Sequence, residues 1–236
     1  MPQDIKAADK LIVALDVKSL AEAKEMVKKL SPDVKIFKVG IGLFTLCGPD
    51  AVSLVHDSGA KVFLDLKFHD IPNTVAHAVR SAAKLGVFMM NIHALGGSEM
   101  MMRAVEAARE SEKKMKLLGV TVLTSMDQSS IGEIGIDKKI EDEVVALARL
   151  GKDSGLDGVV ASPGETSLIR KNLGRDFIIV TPGIRPAGAE KNDQKRIMTP
   201  KDAVKAGADY IVVGRPVIET KDPLEAAKKI IKEMEN

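Results

Sequence analysis

Short apolar runs recur along the chain, separated by stretches of helical periodicity. They lie at 11–16 (LIVALD), 36–42 (IFKVGIG), 61–67 (KVFLDLK), 89–94 (MMNIHA), 117–123 (LLGVTVL), 157–162 (DGVVAS), 177–183 (FIIVTPG) and 210–216 (YIVVGRP). Most are rich in β-branched residues and continuous rather than alternating, as parallel strands covered on both faces require. The segment 19–30 opens with Ser19 and Glu22 at capping-box spacing, which predicts a helix start. Segments 73–85, 98–112 and 141–154 also read as helices, the first beginning near Asn73. In the final segment Leu224, Ala227, Ile231 and Met234 repeat at helical spacing behind the start signals Asp222 and Pro223. Strand runs alternating with helices in this way predict an α/β fold, a (β/α)8 TIM barrel, with residues 1–236 as a single barrel domain. An open doubly wound sheet is the competitor. Its Gly-rich turn after the first strand is missing, because that turn reads Asp16-Val17-Lys18-Ser19. The pair Gly40 and Gly42 lacks a third glycine, since Thr45 stands there, so the dinucleotide fingerprint fails.

Composition narrows the function classes. The chain has 236 residues, 45% of them hydrophobic, enough for a large core. Its 35 basic and 33 acidic residues leave a net charge of +2, and aromatics are only 3%. Neither an electrostatic footprint for nucleic acid nor a base-stacking surface is present. Cys47 is the only cysteine. An intramolecular disulfide is therefore impossible, which fits a reducing compartment. The first residues, MPQDIKAADK, carry no apolar signal region, and no apolar run is long enough to span a bilayer. These features lead to the expectation of a cytoplasmic protein that partners neither membrane nor nucleic acid.

Polar residues gather where such a barrel places its chemistry, at the C-terminal ends of the strands. Asp16 ends the first run. Lys38 lies in the second. Asp65 and Lys67 lie in the third, with Asp70 just beyond it. His93 and Gly96-Gly97 follow the fourth, Thr124-Ser125 the fifth, Ser162 the sixth, Gly183 and Arg185 the seventh, and Gly214-Arg215 the eighth. Asp65 and Lys67 are two apart, so a strand points both to one side. Lys38 lies on the preceding strand, a spatial neighbour. Lysines and aspartates alternating in sign can stay partly buried, because each charge has an opposite partner. A salt-bridge network that only closes the barrel mouth is the alternative use of these residues. His69 and His93 read as structural histidines, and the histidines show no metal-binding spacing. At 212–216, VVGRP offers a glycine for close anion approach and an arginine for bidentate contact, at a location where barrels often bind phosphate. The long polar loop 181–200 reads as a ligand clamp or as a plain surface loop.

The motif D-x-K-x-x-D-I-P-N-T at 65–74 resembles that of the orotidine 5′-phosphate decarboxylase family. TPGIRP at 181–186, D-Q-K-R at 193–196, VVGRP, ALD at 14–16, FKVG at 37–40 and VTVLTS at 120–125 match in the same order. The resemblance covers essentially the whole chain. It implies a cofactor-independent loss of CO2 from orotidine 5′-phosphate to give UMP, with no metal. It implies Lys38, Asp65, Lys67 and Asp70 as the catalytic charged tetrad, with Lys67 protonating C6. It further implies Asp16 and Lys38 as ribose contacts and Thr124, with Ser125, at the pyrimidine edge. Gln194, Gly214 and Arg215, with Arg185, fall to the phosphate. Asp70, Ile71 and Thr74 are implied to reach a neighbouring subunit's site, making a homodimer with shared active sites. Two rivals accompany this expectation. Mg2+-dependent keto-sugar phosphate decarboxylases and synthases resemble the same barrels, but the I-P-N-T and D-Q-K-R segments argue against them. A non-catalytic phosphosugar-binding barrel would need the phosphate grip without Lys67.

Overall fold

The computed structural model describes residues 6–111, 114–186 and 197–235. Among these, eight parallel strands close into a barrel in chain order. They are β1 Leu11–Ala14, β2 Ile36–Gly40, β3 Lys61–Phe68, β4 Met89–His93, β5 Lys116–Val120, β6 Gly158–Val160, β7 Ile178–Thr181 and β8 Tyr210–Val213. β1 completes the ring by pairing with β8, Ile12 opposite Val212. The TIM-barrel expectation holds, and the open-sheet competitor fails at this pairing.

Alternation along each strand divides the apolar residues into two layers. Ile12, Ala14, Ile36, Phe63, Met89, Leu118, Val120, Val160, Val180, Tyr210 and Val212 fill the barrel interior. Their neighbours in sequence, such as Leu11, Val13, Phe37, Val62, Leu64 and Met90, face outward and pack under the helices. Both faces being covered explains the continuous apolar runs. One close approach depends on a missing side chain: a Cβ on Gly158 would run into the carbonyl oxygen of Ile178 on the neighbouring strand.

The principal crossover helices are α1 Leu20–Leu30, α2 Asp50–Asp57, α3 Pro72–Lys84, α4 Gly97–Arg109, α5 Ile140–Asp153, α6 Thr166–Leu173, α7 Pro200–Lys205 and α8 Pro223–Glu235. Ser19 caps α1 as its spacing predicts: its Oγ accepts from the Glu22 amide at 3.1 Å, while the Glu22 carboxylate accepts from the Lys18 amide at 3.0 Å. Thr199 caps α7 in the same way, accepting from the Asp202 amide at 3.2 Å. None of the described helices is long and apolar enough to cross a membrane.

The strands stop earlier than the apolar runs. β1 ends two residues short of Asp16, and β8 ends at Val213, with Arg215 opening a one-turn helix, Arg215–Ile218. The residues that leave the ladder are the polar ones, and they turn toward the barrel mouth. Pro216, which has no N–H to give a ladder, fits the second position of that turn.

Candidate active site

The inward-facing positions change character near the C-terminal ends of β2, β3 and β4. On β2 Ile36 is followed inward by Lys38, and on β3 Phe63 by Asp65. On β4 Met89 is followed by Asn91. A polar layer thus sits on the apolar plug of the barrel. Lys38 Nζ lies 3.2 Å from Asp16 Oδ1 and 3.3 Å from Asp65 Oδ2, and Lys67 Nζ lies 2.6 Å from Asp65 Oδ1. The charges alternate as Asp16, Lys38, Asp65, Lys67. Asp65 is at the centre, its side chain only 13% exposed. Burial by itself raises a carboxyl pKa, but the Lys38 and Lys67 ammonium groups outweigh it and hold Asp65 below its ordinary value. The mirror case holds for Lys38. Burial opposes its charge, yet the carboxylates of Asp65 and Asp16 prevail and raise its pKa. Both groups therefore remain ionised although they are largely removed from water.

The backbone of Lys67 is unusual. Its φ is +50°, and among the described residues it alone adopts a positive φ without being glycine. A side chain in that region costs about 1–2 kcal/mol. The pairing of β3 with β4 breaks at the same place, running Phe63 with Met89 and Leu64 with Met90, then skipping to Phe68 with Ile92. Asn91, which is fully buried, fills the break: its Oδ1 accepts from the Lys67 amide at 2.8 Å, and its Nδ2 donates to Asp65 Oδ1 at 2.7 Å. The bulge re-aims Lys67 toward the mouth, as bulges beside active sites commonly do.

Above the array is a pocket of about 220 Å³. Its wall includes Asp16, Lys38, Asp65, Lys67, Thr124, Arg185, Gly214 and Arg215, together with Pro182 and Gly183. Arg185 is buried, and burial followed by the nearby Arg215 guanidinium lowers its pKa. Two guanidinium groups brought together at one end of a pocket favour an anion between them. Gly214 permits close approach there, since a Cβ would stand 3.3 Å from Asp16 Oδ2 and 3.5 Å from the Ala14 Cβ. The ends of the loop 181–200 are held by a parallel bridge between Ile184 and Met198 and by the Arg185 amide, which donates to the Met198 carbonyl at 3.0 Å. Beside Lys67 the rings of His69 and His93 stack with centroids 5.2 Å apart and planes at 19°. Burial, then His69 and then Lys67, lower His93 to about 4, so it is a neutral imidazole at neutral pH.

The model of the orotidine 5′-phosphate decarboxylase / HUMPS family matches residues 9–230. The chain belongs to this family. It is 55% identical over 235 residues to the orotidine 5′-phosphate decarboxylase of Syntrophotalea carbinolica, spanning 98% of this chain and 96% of that relative. The enzyme of the same name from Geotalea daltonii is 51% identical over 232 residues, 97% of each chain. Among solved structures, orotidine 5′-phosphate decarboxylase from Lactobacillus acidophilus superposes with a TM-score of 0.85 at 40% identity, covering 97% of this chain and 100% of that one.

Within this family fold, one chain gathers Asp16, Lys38, Asp65, Lys67, Thr124, Arg185, Gly214 and Arg215 around a single pocket. It does not gather Asp70, whose carboxylate accepts from the Ile71 amide at 2.6 Å and faces solvent. Ile71 is 68% exposed, and Thr74 is exposed as well. The carboxylate that joins Lys38 and Asp65 within the chain is Asp16 rather than Asp70. Ser125 is exposed and lies off the pocket wall, while its neighbour Thr124 is on it. Ser162 is fully buried and also off the wall. Gln194 lies outside the described residues. Asn91 escaped the sequence reading, which looked for polar groups at strand ends. Its signal was an amide inside the apolar run MMNIHA, two residues on from an inward-facing methionine.

Proposed function

We propose that the chain converts orotidine 5′-phosphate to UMP and CO2, with Lys67 as the proton donor to C6. The observation that carries this reading is the array Asp16–Lys38–Asp65–Lys67 beside the paired Arg185 and Arg215 in one pocket. In this reading Arg215, the backbone at Gly214 and Arg185 hold the phosphate. Asp16 and Lys38 hold the ribose hydroxyls, and Thr124 meets the pyrimidine edge. Gln194 joins the phosphate contacts from the loop.

The bond between C6 and the carboxylate carbon breaks, CO2 leaves, and the electron pair stays on C6. No carbonyl adjoins C6 to delocalise that pair, so its stabilisation falls to the fixed charges around it. The Lys67 ammonium supplies an opposite charge at the required point and then transfers its proton to C6; solvent returns a proton to the amine. Asp65, accepting from Lys67 Nζ, preorganises the ammonium before the charge develops. Phosphate contacts far from C6 supply binding energy that is used to position the ring.

The homodimer with shared sites belongs to the same proposal. It is supported by the exposure of Asp70, Ile71 and Thr74 on one short segment immediately after β3. Asp70 would enter the neighbouring pocket beside Lys67 and complete the tetrad. A pyrimidine-nucleotide biosynthetic role of this kind places the protein in the cytoplasm.

The test is turnover of orotidine 5′-phosphate by purified protein in the presence of EDTA, followed by loss of substrate absorbance and chromatography of UMP. Rapid conversion is expected. No conversion by the folded protein would point to the Mg2+-dependent keto-sugar phosphate relatives, and binding of UMP without any turnover to a silent barrel.

A further inference from the structure

We infer that Asn91 is a positioning residue that holds Lys67 in its left-handed backbone conformation and aims its ammonium into the pocket. The inference rests on the decarboxylase reading above and extends it to a side chain that does not line the pocket. Three observations meet at this amide. Lys67 pays for a φ of +50° with no glycine to make it cheap. The β3–β4 ladder skips from the Leu64–Met90 pair to the Phe68–Ile92 pair, so ordinary strand pairing does not reach the Lys67 amide. Asn91 replaces that pairing, accepting from the amide at 2.8 Å.

The other end of the same side chain acts on Asp65. Asn91 Nδ2 donates at 2.7 Å to Asp65 Oδ1, the oxygen that also accepts from Lys67 Nζ at 2.6 Å. Backbone and side chain of Lys67 are therefore both referred to one fully buried, rigid group on β4. The ring of bonds runs from Asn91 to the Lys67 amide, along the Lys67 side chain to Asp65, and back to Asn91. An amide is the side chain that closes it, because one position must accept and the other must donate. A carboxylate would meet Asp65 with like charge, and an aliphatic group would leave both partners unsatisfied.

Asn91→Leu keeps the branching at Cγ and removes both bonds. Asn91→Asp keeps the acceptor for the Lys67 amide and loses the donor to Asp65. Misplacing a catalytic group by about 1 Å costs about 100-fold in rate, so Asn91→Leu is expected to lower kcat by about that factor. KM and the affinity for UMP should change less than about threefold, since the ribose and phosphate contacts are untouched. Asn91→Asp should also lower kcat, because it sets a second carboxylate against Asp65.

Two measurements on the ligand-free protein accompany the kinetics. Hydrogen exchange at the Lys67 amide should be faster by at least about tenfold in Asn91→Leu. Titration of Asp65, which faces Lys38, Lys67 and Asn91, should move upward in both variants. Unchanged kcat in folded Asn91→Leu, a loss confined to KM, or unchanged exchange at Lys67 would each overturn the inference. If neither variant folds, Asn91 is a stability residue and the inference also falls. Failure of the parent protein to convert orotidine 5′-phosphate would instead remove the decarboxylase reading, and the exchange and titration data would still decide what Asn91 does to Lys67.

Discussion

Lys67 combines a left-handed backbone, an ion pair at 2.6 Å and a hydrogen bond from its backbone N–H to Asn91 Oδ1. Such strain persists where surrounding groups over-determine it, and here they fix a cation at one point of a pocket. Lys67→Ala removes both the charge and the proposed proton donor, so turnover should fall by at least about 1000-fold, with UMP binding largely retained. Isothermal titration with UMP alongside the decarboxylation assay separates the two effects. The buried charges also set a pH dependence. Asp65 lies below 3.8 in the folded chain, so its stabilising contribution is present above that value and is lost as pH falls through its folded pKa. Lys38 lies above 10.5, so its contribution is present below that value and lost as pH rises through its folded pKa. His93 adds a milder acid effect. Between 6.5 and about 4 the unfolded chain takes up a proton that the folded chain refuses, so stability declines with acidification across that window. Melting temperatures at pH 7 and pH 4.5 should differ, and the difference should shrink in His93→Gln. A slope unchanged by that substitution would mean that other groups titrate there.

At the scale of elements, strand identity was legible because both faces of each strand are buried, which writes continuous apolar runs into the chain. Helix starts were legible where a side chain does the capping, as at Ser19. Ser19→Ala should cost about 1 kcal/mol by denaturant unfolding, with activity unchanged. Strand ends were not legible. Asp16, Arg185 and Arg215 sit in sequence against apolar runs, yet the ladder releases them so that they can face the pocket. The break in β3 was likewise hidden, because Asp65 and Lys67 are two apart whether the strand is regular or bulged. Gly158 shows an element constraint of another kind. Gly158→Ala forces a methyl against the Ile178 carbonyl, and the two strands cannot separate without opening the barrel. A loss of about 1–3 kcal/mol is expected in the same unfolding experiment.

At the scale of the whole molecule, one chain supplies a pocket and also an exposed segment, Asp70 to Thr74, that its own pocket does not use. If that segment serves a partner's site, subunits with different defects should complement. A Lys67→Ala chain retains Asp70, and an Asp70→Ala chain retains Lys67, so a mixed dimer contains one site with both. Mixing the two inactive proteins under conditions of subunit exchange should restore about a quarter of parental activity, because about half the dimers are mixed and each has one intact site of two. No recovery, with exchange verified by mass, would confine each site to its own chain.

The sequence by itself determined the barrel, because periodicity and β-branching are local properties that repeat in every unit. It also singled out most of the polar residues that meet in the pocket, because ionisable groups beside apolar runs stand out wherever burial is costly. Tertiary structure decided which of them touch. It paired Lys38 with Asp16 and Asp65 and turned the Asp70 carboxylate back onto its own loop. It also brought Asn91 to Lys67 across 24 positions of sequence. Those outcomes depend on the register between neighbouring strands and on one break in it, and register is set by the closing of the whole barrel rather than by any stretch of residues within it.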